Sequence, residues 1–278
     1  ADLKNNYLYN GKELQEDYGL NWYDYGARFY DPVIGRWGTV DPMTDLHHDY
    51  TPYAYCYNNP IKLIDPFGLD STYYNEAGNQ VYTCGDNPNS NVNYVIKTTQ
   101  TTDEMYSEFP ENDPQKGNSN PITQEEAKTT EEQISNGNLI GDHMNNLVKL
   151  NNTATMVSME TIVAKDDGIG GTTANNNREY IGKISKGKVI EDTPGAVGDP
   201  SSGRKAASTS TASPNERSFH SHPSGRVDRY AWGQPPSKRD IRTTTGTQNY
   251  VYGMRSRIIY VYNKTGVVAT IPMGIFKK

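Results

Sequence analysis

The residues with the clearest chemical potential lie toward the C-terminus. There the chain reads Ser218-Phe219-His220-Ser221-His222-Pro223, and later Pro235-Pro236-Ser237-Lys238-Arg239-Asp240. Side chains of a strand alternate between faces with period two, so an H-x-H pair on a strand puts both imidazoles on one face. The run Glu216-Arg217-Ser218-Phe219 has no helical stripe and fits a strand that ends at the histidines. Pro235 and Pro236 stop any strand, and Ser-x-x-Asp is a helix start with serine as N-cap. Ser237 and Asp240 therefore share a first helical turn that can face the histidines. Two neutral imidazoles, a carboxylate and an open fourth position make a catalytic zinc site. His220, His222 and Asp240 are the expected ligands of Zn2+. Either motif alone is commoner as a surface histidine pair or a plain cap, but two of the chain's five histidines sit here.

In this order, His-Ser-His-Pro followed by Ser-x-x-Asp resembles the JAMM (JAB/MPN+) metalloprotease motif. Members of that family hydrolyse peptide or isopeptide bonds, often of ubiquitin-like proteins. The resemblance implies a cytidine-deaminase-like α/β layer, Ser237 as a hydrogen-bond donor to the oxyanion, and an upstream glutamate as general base. The His222–Ser237 gap is longer than the family's usual spacing, through a polar insertion at 225–233 that reads as a loop beside the cleft. For the base, Glu179 in Arg178-Glu179-Tyr180-Ile181-Gly182-Lys183-Ile184 matches the family's E-x-x-G strand and is favoured. Glu160, in Met159-Glu160-Thr161-Ile162-Val163-Ala164, is also strand-like but lacks the glycine. Either could instead be a solvated strand-end carboxylate.

The chain has 278 residues, room for one large or two ordinary domains, and its hydrophobic share of 34% is low. No stretch is long and apolar enough to span a membrane. The start, Ala1-Asp2-Leu3-Lys4, has no signal-peptide pattern and no initiator Met, so a piece of a longer chain is expected. Cys56 and Cys84 form no metal spacing or disulfide framework, and two free thiols are expected. The net charge of −6 hides an asymmetry: residues 202–278 hold 13 Lys/Arg against 3 Asp/Glu, a balance of +10, which leaves −16 for residues 1–201. A basic end can attract nucleic acid or an acidic protein, or can simply complement the acidic remainder.

Ten of the 21 tyrosines precede residue 60. Tyr7-Leu8-Tyr9-Asn10-Gly11, Gly19-Leu20-Asn21-Trp22-Tyr23-Asp24-Tyr25-Gly26-Ala27-Arg28-Phe29-Tyr30-Asp31-Pro32 and Ile34-Gly35-Arg36-Trp37 alternate aromatics with turn residues, which predicts short strands and hairpins. With Asp41-Pro42, Asn58-Asn59-Pro60 and Asp65-Pro66-Phe67-Gly68-Leu69, this pattern resembles the RHS repeat-associated core domain over nearly all of residues 5–69. In that family a Tyr-Asp repeat chain builds a hollow β shell around a variable C-terminal toxin and cuts itself after D-P-x-G-L. Carried over, the break falls between Leu69 and Asp70. Peptide hydrolysis by carboxylates needs one ionised and one protonated. Asp41 matches the family's catalytic position, and Asp17 is the first choice of partner. Asp65 and Asp31 compete with it, although Asp-Pro is also a common turn, and Arg36 could polarise a carboxylate.

Residues 70–120, rich in Asn, Asp, Thr, Gly and Pro, with strand-like islands at Val81-Tyr82-Thr83 and Tyr94-Val95-Ile96, read as a poorly packed linker between the 1–69 core segment and a domain at 121–278. Pro121-Ile122-Thr123-Gln124 opens a helix, and Leu139, Ile140, Met144, Leu147 and Leu150 predict a second. Strands are expected at 155–164, 179–184, 189–190 and up to Phe219, a flexible loop at 193–215, and a C-terminal hairpin through Tyr250–Ile271. The fold class is therefore α+β: a short all-β segment, then mixed sheet with flanking helices. The two resemblances together imply a secreted or delivered toxin effector with three kinds of partner: the rest of the shell, an immunity protein, and a protein substrate. A nuclease toxin is the alternative that the basic end permits, but no His-Asn or multi-acid cluster supports it, and nucleic acid is not the expected partner. A metal-free binding module ranks last because every ligand is present.

Overall fold

The computed structural model describes residues 5–25, 28–40, 51–58, 60, 65, 71–84, 92–107, 116–136, 141–202, 212–213, 216–228, 230–244 and 248–277, with backbone alone at 57, 84, 141 and 142. The chain divides into two compact units. One comprises residues 1–75, 79–96 and 124–153, the other 76–78, 97–123 and 154–278. Together they give the expected α+β class with an all-β N-terminal part.

In the first unit, turns cut the Tyr-rich block into β1 (Glu13–Gln15), β2 (Trp22–Asp24), β3 (Phe29–Asp31) and β4 (Arg36–Trp37), an antiparallel meander in chain order. Strands this short bury little aliphatic surface. Large rings do the packing instead: Tyr25, Tyr30, Trp37 and Tyr55 form one buried cluster with Cys56, and Tyr30 and Tyr55 have centroids 4.1 Å apart. The tilted and edge-on contacts suit ring quadrupoles. Asn10 Nδ2 donates to the hydroxyls of Tyr25 and Tyr55 at 3.0 and 2.8 Å, so the buried phenols are not left unpaired. Cys56 is a free thiol, and burial, then the Asp65 charge, push it up to about 12.

Residues 71–96, expected as linker, instead supply β5 (Ser71–Tyr74), β6 (Gln80–Cys84) and β7 (Val92–Ile96). With β8 (Leu147–Lys149) they form a second sheet in the order β6-β5-β7-β8, in which β5 and β7 run parallel. Tyr73 stacks on Tyr94 at 5.3 Å, and Val95 and Ile96 are buried. Part of the polar composition that suggested a linker belongs to the turn between β5 and β6. A helix runs from Gln124 to Ser135, as its start signal predicts. The second helix expected at 139–150 is replaced by a 3-10 turn at Gly141–Asn146 and by β8.

The second unit is built on a six-stranded sheet in the order β10-β9-β11-β14-β15-β16. Its strands are β9 (Ile181–Ser185), β10 (Lys188–Glu191), β11 (Arg217–His222), β14 (Asn249–Gly253), β15 (Ile258–Asn263) and β16 (Gly266–Pro272). The 225–233 insertion is itself a small hairpin of β12 (Arg226–Val227) and β13 (Tyr230–Ala231). The pairing of β11 with β14 is parallel and all the others are antiparallel. In chain order the helices are α1 (Thr102–Met105), α2 (Gln124–Ser135, in the first unit), α3 (Thr153–Val163) and α4 (Lys238–Thr243).

One face of the sheet packs Val251, Tyr260, Tyr262 and Val267 against Met105 and Tyr106 at α1 and Ile241 of α4. On the other face Phe219 meets Tyr252 edge-on. The 155–164 segment, expected as a strand, is helix α3. Thr155, Met156, Met159, Glu160 and Val163 are its buried residues, and the i, i+3, i+4, i+7 spacing of the last four prevails over the β-branched composition around it.

Gly182 of β9 lies in register with Phe219 of β11. A Cβ there would sit 2.6 Å from the Phe219 ring and would also press on the Ile190 carbonyl. Gly182→Ala is expected to cost about 1–3 kcal/mol through overpacking. A thermal melt should record this as a fall of several degrees, and an unchanged melting temperature would show that the packing is looser than the register implies.

Candidate metal centre

The two histidines end β11, and their alternation with Phe219 and Ser221 puts both imidazoles on the α4 face. His220 pairs in register with Val251 and His222 with Gly253, and Val251 belongs to the cluster that α4 covers. Asp240 is the third helical residue after the Ser237 cap. The cap is a full capping box: Asp240 N–H donates to Ser237 Oγ at 3.2 Å, and Ser237 N–H donates to Asp240 Oδ2 at 2.7 Å. Tyr106 fixes the entry to this turn, since its hydroxyl donates to the Pro236 carbonyl and accepts from Gly117 N–H at 2.9 Å.

These elements bring His220, His222 and Asp240 into one group with ligand atoms within 4.8 Å of one another. The two Nε2 atoms are 3.3 Å apart. Each lies 3.4 Å from an oxygen of Asp240, His220 from Oδ1 and His222 from Oδ2. A tetrahedral ion with donor bonds of about 2.0–2.1 Å has donor–donor edges of about 3.3–3.4 Å; the two Nε2 atoms are at that spacing, and each imidazole is at it from a different Asp240 oxygen. The imidazole side chains are 10% exposed and the Asp240 side chain 20%, so the group is sheltered yet open on one side.

The three groups are electrostatically coupled. Burial alone would push the Asp240 carboxyl up, but the two imidazoles, His220 foremost, hold it well below the usual carboxylate range. Burial pulls His220 down, and the charges of Asp240 and then Glu179 more than offset it and raise it. A carboxylate in so sheltered a site is balanced either by protonation of the imidazoles or by a cation shared with them.

Glu179 precedes β9. Continuing the antiparallel register of β9 and β11 past His220↔Ile181 carries Tyr180 opposite Ser221 and Glu179 opposite His222. Ser221 secures this: its N–H donates to Tyr180 O and its Oγ accepts from Tyr180 N–H, both at 2.8 Å. The Glu179 charge acts on His220 and on Tyr262, the same two groups that Asp240 acts on. Glu160 is elsewhere. It is buried on α3, 3.4 Å from the Lys277 ammonium, and its charge reaches Tyr252. The start of the 193–215 segment borders Glu179, with Gly195 N–H donating to Glu179 O and Gly198 N–H to Asn177 O.

Ser237 has less freedom than the sequence implies. Its hydroxyl donates to Asp240 Oδ2 at 2.6 Å, so its one proton already orients the carboxylate. Sequence reasoning passed over the residues behind the site. Asp166 and Ser224, Asn176 and Asn177, and Gln234 are all buried around the exit of β11. Gln234 uses its whole amide, donating to the Pro223 and Trp232 carbonyls and accepting from Arg255 and Ser256 N–H. Only the length of the insertion hinted that such bracing would be needed.

In the N-terminal block, Asp17 is exposed in a 3-10 turn, and Asp31 accepts from the Val33 and Ile34 N–H groups as a turn residue. Arg36 is exposed. The buried pair is Arg28 with Asp65, 3.3 Å apart, with the guanidinium 4.3 Å over the Trp37 ring. Asp41 and Leu69 lie outside the described residues, so the structure does not relate Asp17 to Asp41.

Among curated proteins, the chain is 45% identical over 62 residues to Salivary gland surface protein 1 of Aedes aegypti and 41% identical over 61 residues to Toxin subunit YenC2 of Yersinia entomophaga. Each stretch is 22% of this chain and covers only 2% and 6% of those proteins. No family profile matches the chain, and no solved structure matches it. No helix among the described residues is long and apolar enough to cross a membrane.

The three-donor geometry predicts one divalent ion per chain, removable by chelation. His220→Ala, His222→Ala and Asp240→Ala should each abolish it, because a three-ligand site has no spare donor. Ser237→Ala should weaken binding by about tenfold, since it frees Asp240 to turn, and should cost about 1 kcal/mol of stability through the lost cap. Undiminished metal in a double-histidine variant, read by elemental analysis, would overturn the assignment.

Proposed function

We propose that this chain is a toxin effector in which an RHS-core closing segment is joined to a zinc-dependent hydrolase of JAMM type acting on peptide or isopeptide bonds. The observation that carries the hydrolase reading is the His220, His222 and Asp240 cluster with Glu179 held beside it on the same sheet face. Two imidazoles and a carboxylate are a zinc donor set. When bound, zinc supplies Lewis acidity and lowers the pKa of water from ~15.7 toward ~7.

The chain's own residues do the rest. Glu179 accepts a proton from the attacking water and passes it to the leaving amine, a role that requires a carboxylate near the ligands but not among them. Asp240 balances charge, and Ser237 fixes its rotamer through the 2.6 Å bond. To donate to an oxyanion, Ser237 must exchange that bond.

The toxin reading draws support from the stretch shared with Toxin subunit YenC2, whose 61 residues are close to the length of the Tyr-rich block. A second support is surface chemistry. Of the twelve large hydrophobic residues exposed among those described, nine fall between Tyr7 and Tyr53. Such a surface suits further β structure packed on it, as a surrounding shell would supply. Delivery outside the producing cell and a neutralising immunity protein belong to the same proposal.

Glu179→Gln should keep its metal and lose hydrolysis and toxicity, whereas Glu160→Gln should retain both. Cleavage of ubiquitin chains or other conjugates, assayed beside plasmid nicking, tests the reaction class; nicking without proteolysis would favour the nuclease that the basic 202–278 stretch permits. The reverse behaviour of the two glutamate variants would transfer the base to α3.

In a chain that carries preceding RHS repeats, the core segment should cut after Leu69. A denaturing gel should then show two pieces, the smaller starting at Asp70, with Asp41→Asn giving one. Asp65, the buried carboxylate paired with Arg28, is a better-sheltered partner than exposed Asp17, so Asp65→Asn should also block the cut and Asp17→Asn should not. A single intact wild-type band would remove the self-cleavage claim and leave the metal centre untouched.

A further inference from the structure

The loop that follows α3, residues 166–177, is fastened to the segment by which β11 leaves the metal centre. Asp166 is fully buried and accepts three hydrogen bonds: Ser224 N–H at 2.7 Å, the Ser224 hydroxyl, and Gly168 N–H at 2.9 Å. Ser224, two residues past His222, is also fully buried, and its Oγ accepts from Gly170 N–H at 3.3 Å. Next along the chain, Gly225 N–H donates to Asn176 O at 2.6 Å and Arg226 N–H to Gly171 O at 3.1 Å. Gly225 cannot carry a side chain here, because a Cβ would strike the Asn177 side chain and come within 2.5 Å of Asn176 O. At the far end of the insertion, Trp232 Nε1–H donates to Asn177 Oδ1 at 3.0 Å. One loop thus holds both ends of the 225–233 hairpin.

A carboxylate buried this deeply is costly unless its oxygens are occupied, and here both are spent on the strand exit. His222 needs such support. Its Nδ1 is buried and has no partner among the described residues, whereas a metal-binding histidine is usually oriented by a hydrogen bond from its second nitrogen. The ring therefore depends on its backbone for direction.

We propose that Asp166 is a positioning residue of the metal centre, holding Ser224 so that His222 faces the ion without a hydrogen-bond partner of its own. The inference rests on the metal reading above and adds a part that the His-x-His and Ser-x-x-Asp motifs do not contain. It also explains how the longer His222–Ser237 gap is accommodated: the extra residues fold out as a hairpin whose base is anchored to the 166–177 loop and so puts no slack into the ligands.

The test is titration of the metal-free full chain with Co2+, whose visible absorption reports both affinity and coordination. Asp166→Ala and Ser224→Ala should each bind Co2+ about ten- to a hundredfold more weakly than wild type and shift the visible band. Ser224→Ala, which deletes only the hydroxyl, covers the case in which Asp166→Ala does not fold. The control is Glu76→Ala: Glu76 accepts from Thr99 and Thr270, so its loss lowers stability without touching the 166–177 loop. It should melt earlier yet bind Co2+ with wild-type affinity and spectrum. Wild-type titrations from both site variants would overturn the positioning role, as would an equal loss of affinity in Glu76→Ala. A wild-type protein that gives no cobalt band removes the metal reading and this inference with it.

Discussion

The parallel pairing of β11 with β14 determines which face of the sheet the two imidazoles occupy, and everything at the site follows from it. Because strand side chains alternate, a slip of one residue would turn His220 and His222 away from α4 and bring Phe219 and Ser221 into their place. The register is held from both sides. Val251 and Gly253 stand opposite the histidines on β14, and Ile181 and the Ser221–Tyr180 pair of bonds secure β9. A parallel neighbour needs a crossover, and the chain between β11 and β14 provides it as hairpin, capped turn and α4. The element that connects the strands is thus the one that delivers Asp240, the third member of the cluster.

Local motifs were legible in the sequence because their geometry is local. Period-two alternation foretold the common face of His220 and His222, and Ser-x-x-Asp foretold the capped turn that carries Asp240. The C-terminal hairpin was legible for the same reason, as β-branched and aromatic runs broken by Asn263-Lys264-Thr265-Gly266. What failed were readings that depend on distant partners. Tyr73 and Tyr94 stack across a parallel pair, and β8 reaches β7 from some fifty residues away, so the strand-like islands at 81–83 and 94–96 stood in the sequence without visible partners, inside what composition marks as a linker. Leu147 and Leu150 fit a helical stripe until β7 offered an edge to pair with.

The misreading of residues 155–164 has a chemical consequence. Read as a strand, the segment leaves Glu160 a second candidate for the base, behind Glu179. Folded as α3, it spends Glu160 on Lys277 and on the environment of Tyr252, whose neighbour in register, Ser221, points away from the histidines. Period alone could have separated the two cases, since Met156, Met159, Glu160 and Val163 recur at helical and not strand spacing.

The Tyr-rich block and the metal-bearing unit solve the problem of burying polar groups in different ways. In the block, phenols, an amide and an Arg–Asp pair satisfy one another, with little aliphatic core beneath them, and large side chains remain at the surface. In the other unit an aliphatic and aromatic sheet supplies the stability, which lets it carry Asp240 beside two imidazoles and Asp166 beneath the strand exit. Buried charges of that kind destabilise a fold unless each is matched. Asp166 is matched by three donors from the chain itself, whereas Asp240 has the Ser237 cap and two imidazoles that must be protonated or share a cation to balance it. That difference marks Asp166 as part of the scaffold and Asp240 as part of a site able to take up a cation.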